Sequence, residues 1–150
     1  MSDKVRAVAK HKFSADRELV YDAWLNPEKA RVWMAASLRT MGLAGEIRRV
    51  EIDARVGGKF FFSDQRGDVE ARHWGTYLEL DRPNRVVFTW VTDESEEVDP
   101  SIVTLTLVSV GTGTEATIVH EMDAKWVEYV QQVEHGWGNM LKALGLSINT

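Results

Sequence analysis

No cysteine occurs anywhere in the 150 residues. That absence excludes a disulfide framework, a cysteine-based zinc site and a thiol nucleophile, and it suits a reducing compartment, so the expected location is cytoplasmic. Positive charge is also in short supply: 18 Lys and Arg stand against 23 Asp and Glu, for a formal net charge of -5. Phosphate backbones are bound through a clustered excess of Lys and Arg. With none here, neither DNA nor RNA is an expected partner. Nowhere do about 18 apolar residues run together, and the opening M-S-D-K-V-R-A-V-A-K has no apolar stretch of the signal-peptide kind, so no membrane span is expected. The three prolines, Pro27, Pro83 and Pro100, fall where a helix starts or a turn is due.

Against these gaps stand a hydrophobic share of 44% and six tryptophans spread along the chain. A chain of this length is expected to fold as one domain, 1–150, and to hide roughly 70% of its unfolded surface. Large rings line pockets as readily as they fill cores.

Periodicity divides the chain into elements. Lys4 to Phe13 alternates Val5, Ala7, Ala9 and His11 with charged neighbours and reads as a strand. Ser14 is placed to cap a helix carrying Glu18 in its first turn and Leu19, Val20, Ala23 and Trp24 as its stripe. Asn26-Pro27 caps and starts a second, striped by Ala30, Trp33 and Met34. From Gly45 to Met122 the period falls to two, giving strands at Glu46–Asp53, Lys59–Asp64, Glu70–Leu80, Val86–Trp90, about Val103–Leu107 and Ala116–Met122. Ala124 to Leu146 returns to helical spacing through Trp126, Val130, Val133, Trp137, Met140, Leu141 and Leu144, with Gly145 as its expected stop.

The order β-α-α-β-β-β-β-β-β-α makes an α+β fold: a curved antiparallel sheet of six to seven strands wrapped around a long C-terminal helix, with two short helices after strand one closing an end. A helix only about 10–12 Å across cannot fill such a curl, so a hollow is expected between sheet and helix. Alternation turns Phe60 and Phe62 into it and Phe61 away from it. Trp33, Trp90, Trp137 and Met140 are expected to line it as well. The apolar side of Glu70–Leu80 brings in Trp74, with Thr76, Leu78 and Leu80; a register shifted by one would bring in Tyr77 and Glu79 instead. Alternation also sends Arg48 inward, as a rim cation, and His120 inward between Ile118 and Met122, as a satisfied core histidine or a ligand contact.

The chain resembles the START-related, birch pollen allergen-like helix-grip superfamily. Within it, the resemblance is to the family named after the activator of heat-shock protein 90 ATPase. The residues that carry it are V-Y-D-A-W-L-N-P-E-K-A-R-V-W (Val20 to Trp33), D-A-R-V-G-G-K-F (Asp53 to Phe60), G-T-Y-L-E-L-D-R-P-N-R-V-V-F-T-W (Gly75 to Trp90), T-E-A-T-I-V-H-E (Thr114 to Glu121) and G-W-G-N-M-L-K-A-L (Gly136 to Leu144). One departure is Met34, where relatives often carry a second tryptophan. The resemblance implies a hydrophobic-ligand cavity between sheet and long helix, and homodimers are common in the superfamily. It transfers no chaperone activity.

No metal or cofactor is expected. His11, His73, His120 and His135 lack metal-binding spacing, no G-x-S-x-G elbow occurs, and the glycine pairs lie between strands. No catalytic residue is assigned. The first functional reading is therefore a non-catalytic module that binds a small hydrophobic molecule, aromatic or lipid-like, through Trp33, Arg48, Phe60, Phe62, Trp74, Trp90, His120, Trp137 and Met140. The alternatives are a cyclase- or dehydratase-type enzyme using the same cavity, which the superfamily also contains, and a chaperone or protein-interaction module.

Overall fold

The computed structural model describes residues 3–148. A seven-stranded sheet runs in the order β1-β7-β6-β5-β4-β3-β2, every neighbouring pair antiparallel. Its strands are β1 (Lys4–Phe13), β2 (Glu46–Ile52), β3 (Lys59–Arg66), β4 (Val69–Asp81), β5 (Arg85–Trp90), β6 (Ser101–Val110) and β7 (Gly113–Asp123). Because β1 and β2 form opposite edges, the helices between them, α1 (Arg17–Leu25) and α2 (Pro27–Thr40), carry the chain across one end of the curl. The last helix, α3 (Val130–Ile148), lies in the concave face. This is the α+β helix-grip arrangement. Among the described residues, no helix is long and apolar enough to cross a membrane.

Local chemistry explains the helix starts. Asp16, not Ser14, caps α1: its carboxylate accepts from the Leu19 amide at 3.0 Å. A carboxylate there also faces the positive end of the helix dipole. Asn26 caps α2 through Lys29 N, with Pro27 in the first turn. The C-terminal helix begins later than its stripe suggests. Ala124–Tyr129 forms a 3-10 turn, and Trp126 stands 37% exposed on it, outside the buried face. Nor does Gly145 end the helix, which runs on to Ile148. Glycine serves another purpose there, since a Cβ at Gly145 would come within 3.1 Å of the Phe13 ring. The position lets α3 press against β1.

Two β-bulges break the period-two count. In β2 the pairing steps from Ile47↔Asp64 to Arg49↔Ser63, leaving Arg48 as the extra residue. In β4 it steps from Tyr77↔Phe88 to Glu79↔Val87, leaving Leu78 over. An extra residue reverses which parity faces the core. Ile47 as well as Val50 and Ile52 therefore pack on the core, and Tyr77 as well as Leu80. Arg48 is thrown outward to pair with Glu46 at 3.3 Å, its side chain 54% exposed, which corrects the inward placement expected from alternation.

The closest approaches of α3 are to β1, α1, α2 and the turn before it, while the central strands stand further off. Side chains must fill that gap, and the rings do. At one point strand and ring meet directly: a Cβ on Gly75 would lie 2.0 Å from the Thr89 carbonyl and 2.8 Å from the Phe60 ring. Gly75→Ala is expected to cost about 2–3 kcal/mol through this overlap, read as a lower urea midpoint with an unchanged m-value. An unchanged midpoint would mean that β5 can yield.

Candidate functional site

Side chains from six elements converge between sheet and helix. Trp24 of α1 stacks on Trp33 of α2 at 5.1 Å between centroids and 17° between planes. The Trp33 indole nitrogen donates to the Ala23 carbonyl at 3.0 Å, fixing the ring. From the sheet come Phe60 and Phe62 of β3, Tyr77 of β4, and Phe88 and Trp90 of β5; from α3 come Trp137 and Met140. Phe60 meets Phe62 at 5.0 Å, Tyr77 at 5.4 Å and Phe88 at 5.5 Å, and Trp137 meets Trp90 at 5.0 Å. Such pairs add about 0.5–1.5 kcal/mol each beyond their burial. The rings close on one another, and the hollow at their centre measures only about 20 Å³, room for about one water molecule.

The larger space lies beside it. A chamber of about 190 Å³ opens between the C-terminal half of α2, the β2-β3-β4 edge and α3, sharing Met34, Phe62, Trp90 and Met140 with the ring-lined hollow. Leu38 and Ile47 make its walls apolar, and Arg31 ties α2 to β2 by donating to the Ile47 carbonyl at 3.1 Å. Its polar side is formed by Ser37, Ser63, Asp64, Arg66 and His73. Asp64 is buried and held by Arg66 at 2.7 Å and 3.3 Å. His73 stacks on Trp90 at 5.1 Å. Burial, then the charge of Arg66, lowers its pKa to about 4, with Asp64 opposing, so the imidazole is neutral at physiological pH.

A curved sheet gripping a helix, a ring-lined interior and this order of elements are accompanied by a family match: the Activator of Hsp90 ATPase homolog 1-like protein family, over residues 14–146. The chain belongs to that family. Among solved structures, a protein of unknown function from Staphylococcus aureus is similar at 20% identity and a TM-score of 0.81, covering 99% of this chain and 95% of that one. A protein from Chromobacterium violaceum is similar at 26% identity and a TM-score of 0.75, covering 96% of each. An AHSA1-like protein from Aeromonas hydrophila follows at 19% identity and a TM-score of 0.74, covering 97% and 92%. Among curated proteins, none matches the chain.

In this member of the Hsp90 ATPase activator homologue family, Trp33, Phe60, Phe62, Trp90, Trp137 and Met140 come together around the hollow. Trp74 does not, which corrects its expected place. It pairs with Phe61 on the outer face of the sheet, stacking at 6.4 Å, and its indole nitrogen donates to Glu97 at 3.2 Å. Arg49 covers Phe61 there at 4.3 Å. His120 is buried but lines neither space. Its Nδ1 accepts from the Trp137 indole at 3.0 Å and its Nε2 lies 2.8 Å from Ser101 Oγ, which donates to the Trp90 carbonyl at 2.9 Å. An accepting Nδ1 requires the proton on Nε2. The relay therefore uses both ring nitrogens to fix Trp137 and β5, and burial lowers the His120 pKa to about 4.

Trp24, Tyr77, Phe88 and His73 line these spaces without standing among the residues first expected there. For His73 and Tyr77 a signal existed. Residues directly opposite in an antiparallel pair share a face, and a β3-β4 turn of even length puts odd-numbered β4 residues beside Phe60 and Phe62. The observed pairs are Phe60↔Gly75 and Phe62↔His73.

Proposed function

We propose that this protein is a non-catalytic binding module for a small, largely apolar molecule, which occupies the chamber and reaches into the ring-lined hollow. The supporting observation is that the two spaces adjoin, sharing Met34, Phe62, Trp90 and Met140 as walls. A dry cavity of about 150 Å³ holds benzene, and drug-sized ligands need roughly 300 Å³ or more. The 190 Å³ chamber thus suits one aromatic ring or a short acyl chain. Met34 and Met140, unbranched and adaptable, are the side chains that would shift for anything larger.

Catalysis would need an acid or base with a free atom facing the substrate. Both nitrogens of His120 are engaged behind Trp137 and Asp64 is held by Arg66, which leaves His73, among the described residues, as the one free acid-base group on the chamber wall, where this chemistry calls for a pair. The enzymatic alternative therefore draws less support than binding.

A thermal-shift series with one-ring aromatics and short acyl compounds, alongside native mass spectrometry of protein from its own source, tests the reading. A ligand at a hundred times its Kd adds about 2.7 kcal/mol, roughly 5–10 °C for a domain of this size. Met34→Trp, which puts an indole across the join of the two spaces, should abolish the shift. No shift with any compound, together with a native mass equal to the bare chain, would end it.

A further inference from the structure

Among the carboxylate, guanidinium and imidazole groups described in and beside the chamber, one has hydrogen-bonding capacity that is unspent. Asp64 and Arg66 satisfy one another. Ser101 and Trp137 consume both nitrogens of His120. His73 differs: it lines the chamber, its ring lies against Trp90, and no described residue hydrogen-bonds its ring nitrogens. Burial keeps it neutral. A neutral imidazole offers one donor and one acceptor.

We propose that His73 is the polar anchor of the chamber, selecting one-ring ligands that carry a neutral hydroxyl-type group, phenols above all, over carboxylates and bare hydrocarbons. This rests on the binding function proposed above. A hydroxyl loses water on entering the chamber and is stable there only with a partner, which His73 supplies beside the aromatic face of Trp90. A carboxylate is disfavoured because it must give up its hydration to enter the chamber, and the cation on the wall, Arg66, is already paired with Asp64. Desolvation thus acts against anions while His73 acts for hydroxyls, the two halves of a specificity device.

Titration calorimetry with phenol, toluene and benzoate on the full chain decides it. Without an anchor, toluene, the more apolar molecule, binds best. With it the order reverses: phenol is expected about fivefold or more tighter than toluene, the worth of one net hydrogen bond, and benzoate at least about tenfold weaker than phenol. His73→Phe should restore the preference for toluene, and His73→Gln, which keeps a donor and an acceptor, should retain part of the preference for phenol. Toluene equal to or tighter than phenol on the unsubstituted protein overturns the anchor but leaves the binding function standing. A preference for phenol that survives in His73→Phe also overturns it. If none of the three compounds binds, the chamber is not a one-ring site and the anchor is overturned, while the binding function is decided by the acyl compounds and the native mass.

Discussion

Replacing Trp137 by alanine is expected to remove about 4 kcal/mol or more of folding stability, the largest loss from any single side chain of the interior. The ring is buried and meets Trp24 at 6.2 Å, Phe88 at 6.3 Å and Trp90 at 5.0 Å. Large-to-small core changes of this kind cost about 3–5 kcal/mol. The indole N–H is also the donor to His120 Nδ1, which its removal leaves unpaired in an apolar setting; such an orphan costs about 1–3 kcal/mol. The two contributions overlap and do not simply add. Trp137→Phe separates them, because it keeps most of the ring and deletes the donor, and should lose about 2 kcal/mol. Urea unfolding of both variants is the measurement. A Trp137→Phe protein as stable as the parent would mean that His120 finds its partner elsewhere.

The dependence on Trp137 also marks what the sequence states well. Its place on a helical stripe with Met140, Leu141 and Leu144, facing Phe60, Val86, Phe88, Leu105 and Ile118 on alternating strands, follows from two periods alone. All of these residues pack into the core or against it. What alternation cannot carry is an interruption of itself. A bulge adds one residue and leaves no mark in composition, so Arg48 and Leu78 reversed the phase of β2 and β4, and Arg48 and Trp74 were assigned to the wrong side. In β4 the apolar pattern was itself misleading, since Trp74 has an apolar neighbour, Phe61, on the outer face. Hairpin parity from the neighbouring strand was the better guide, because the face of Phe60 and Phe62 is set by contacts that one bulge further on does not disturb. Gly145 misled for a similar reason. Glycine is a stop signal only where the backbone turns left-handed, and here it is a clearance between a helix and the Phe13 ring.

Between pH 7 and pH 5 the protein should lose roughly 3–4 kcal/mol of stability, from His73 and His120 together. Both have pKa values near 4 in the folded chain against about 6.5 when unfolded. Across that window the unfolded chain binds a proton at each and the folded chain does not, so acid favours unfolding. The stabilisation is whole above pH 6.5 and drains away as pH falls toward 4. For His120 the cause is structural as well as dielectric: a proton on Nδ1 would confront the Trp137 N–H, donor against donor, and open the relay to Ser101. His11 shifts the same way, through burial and then the charge of Lys142, and steepens the loss. The carboxylates held low, Asp22 by Arg82 and Glu70 by Ser63, act later: their contribution disappears as pH falls through their folded values, below the ordinary carboxylate range. Urea unfolding at half-unit steps from pH 7 to pH 5 should therefore give a slope approaching two protons, about 2.7 kcal/mol per pH unit. His120→Asn, whatever its own cost in stability, should bring that slope down by about one proton, about 1.4 kcal/mol per pH unit. A flat profile would place both imidazoles in contact with water, and with them the wall of the chamber and the back of Trp137.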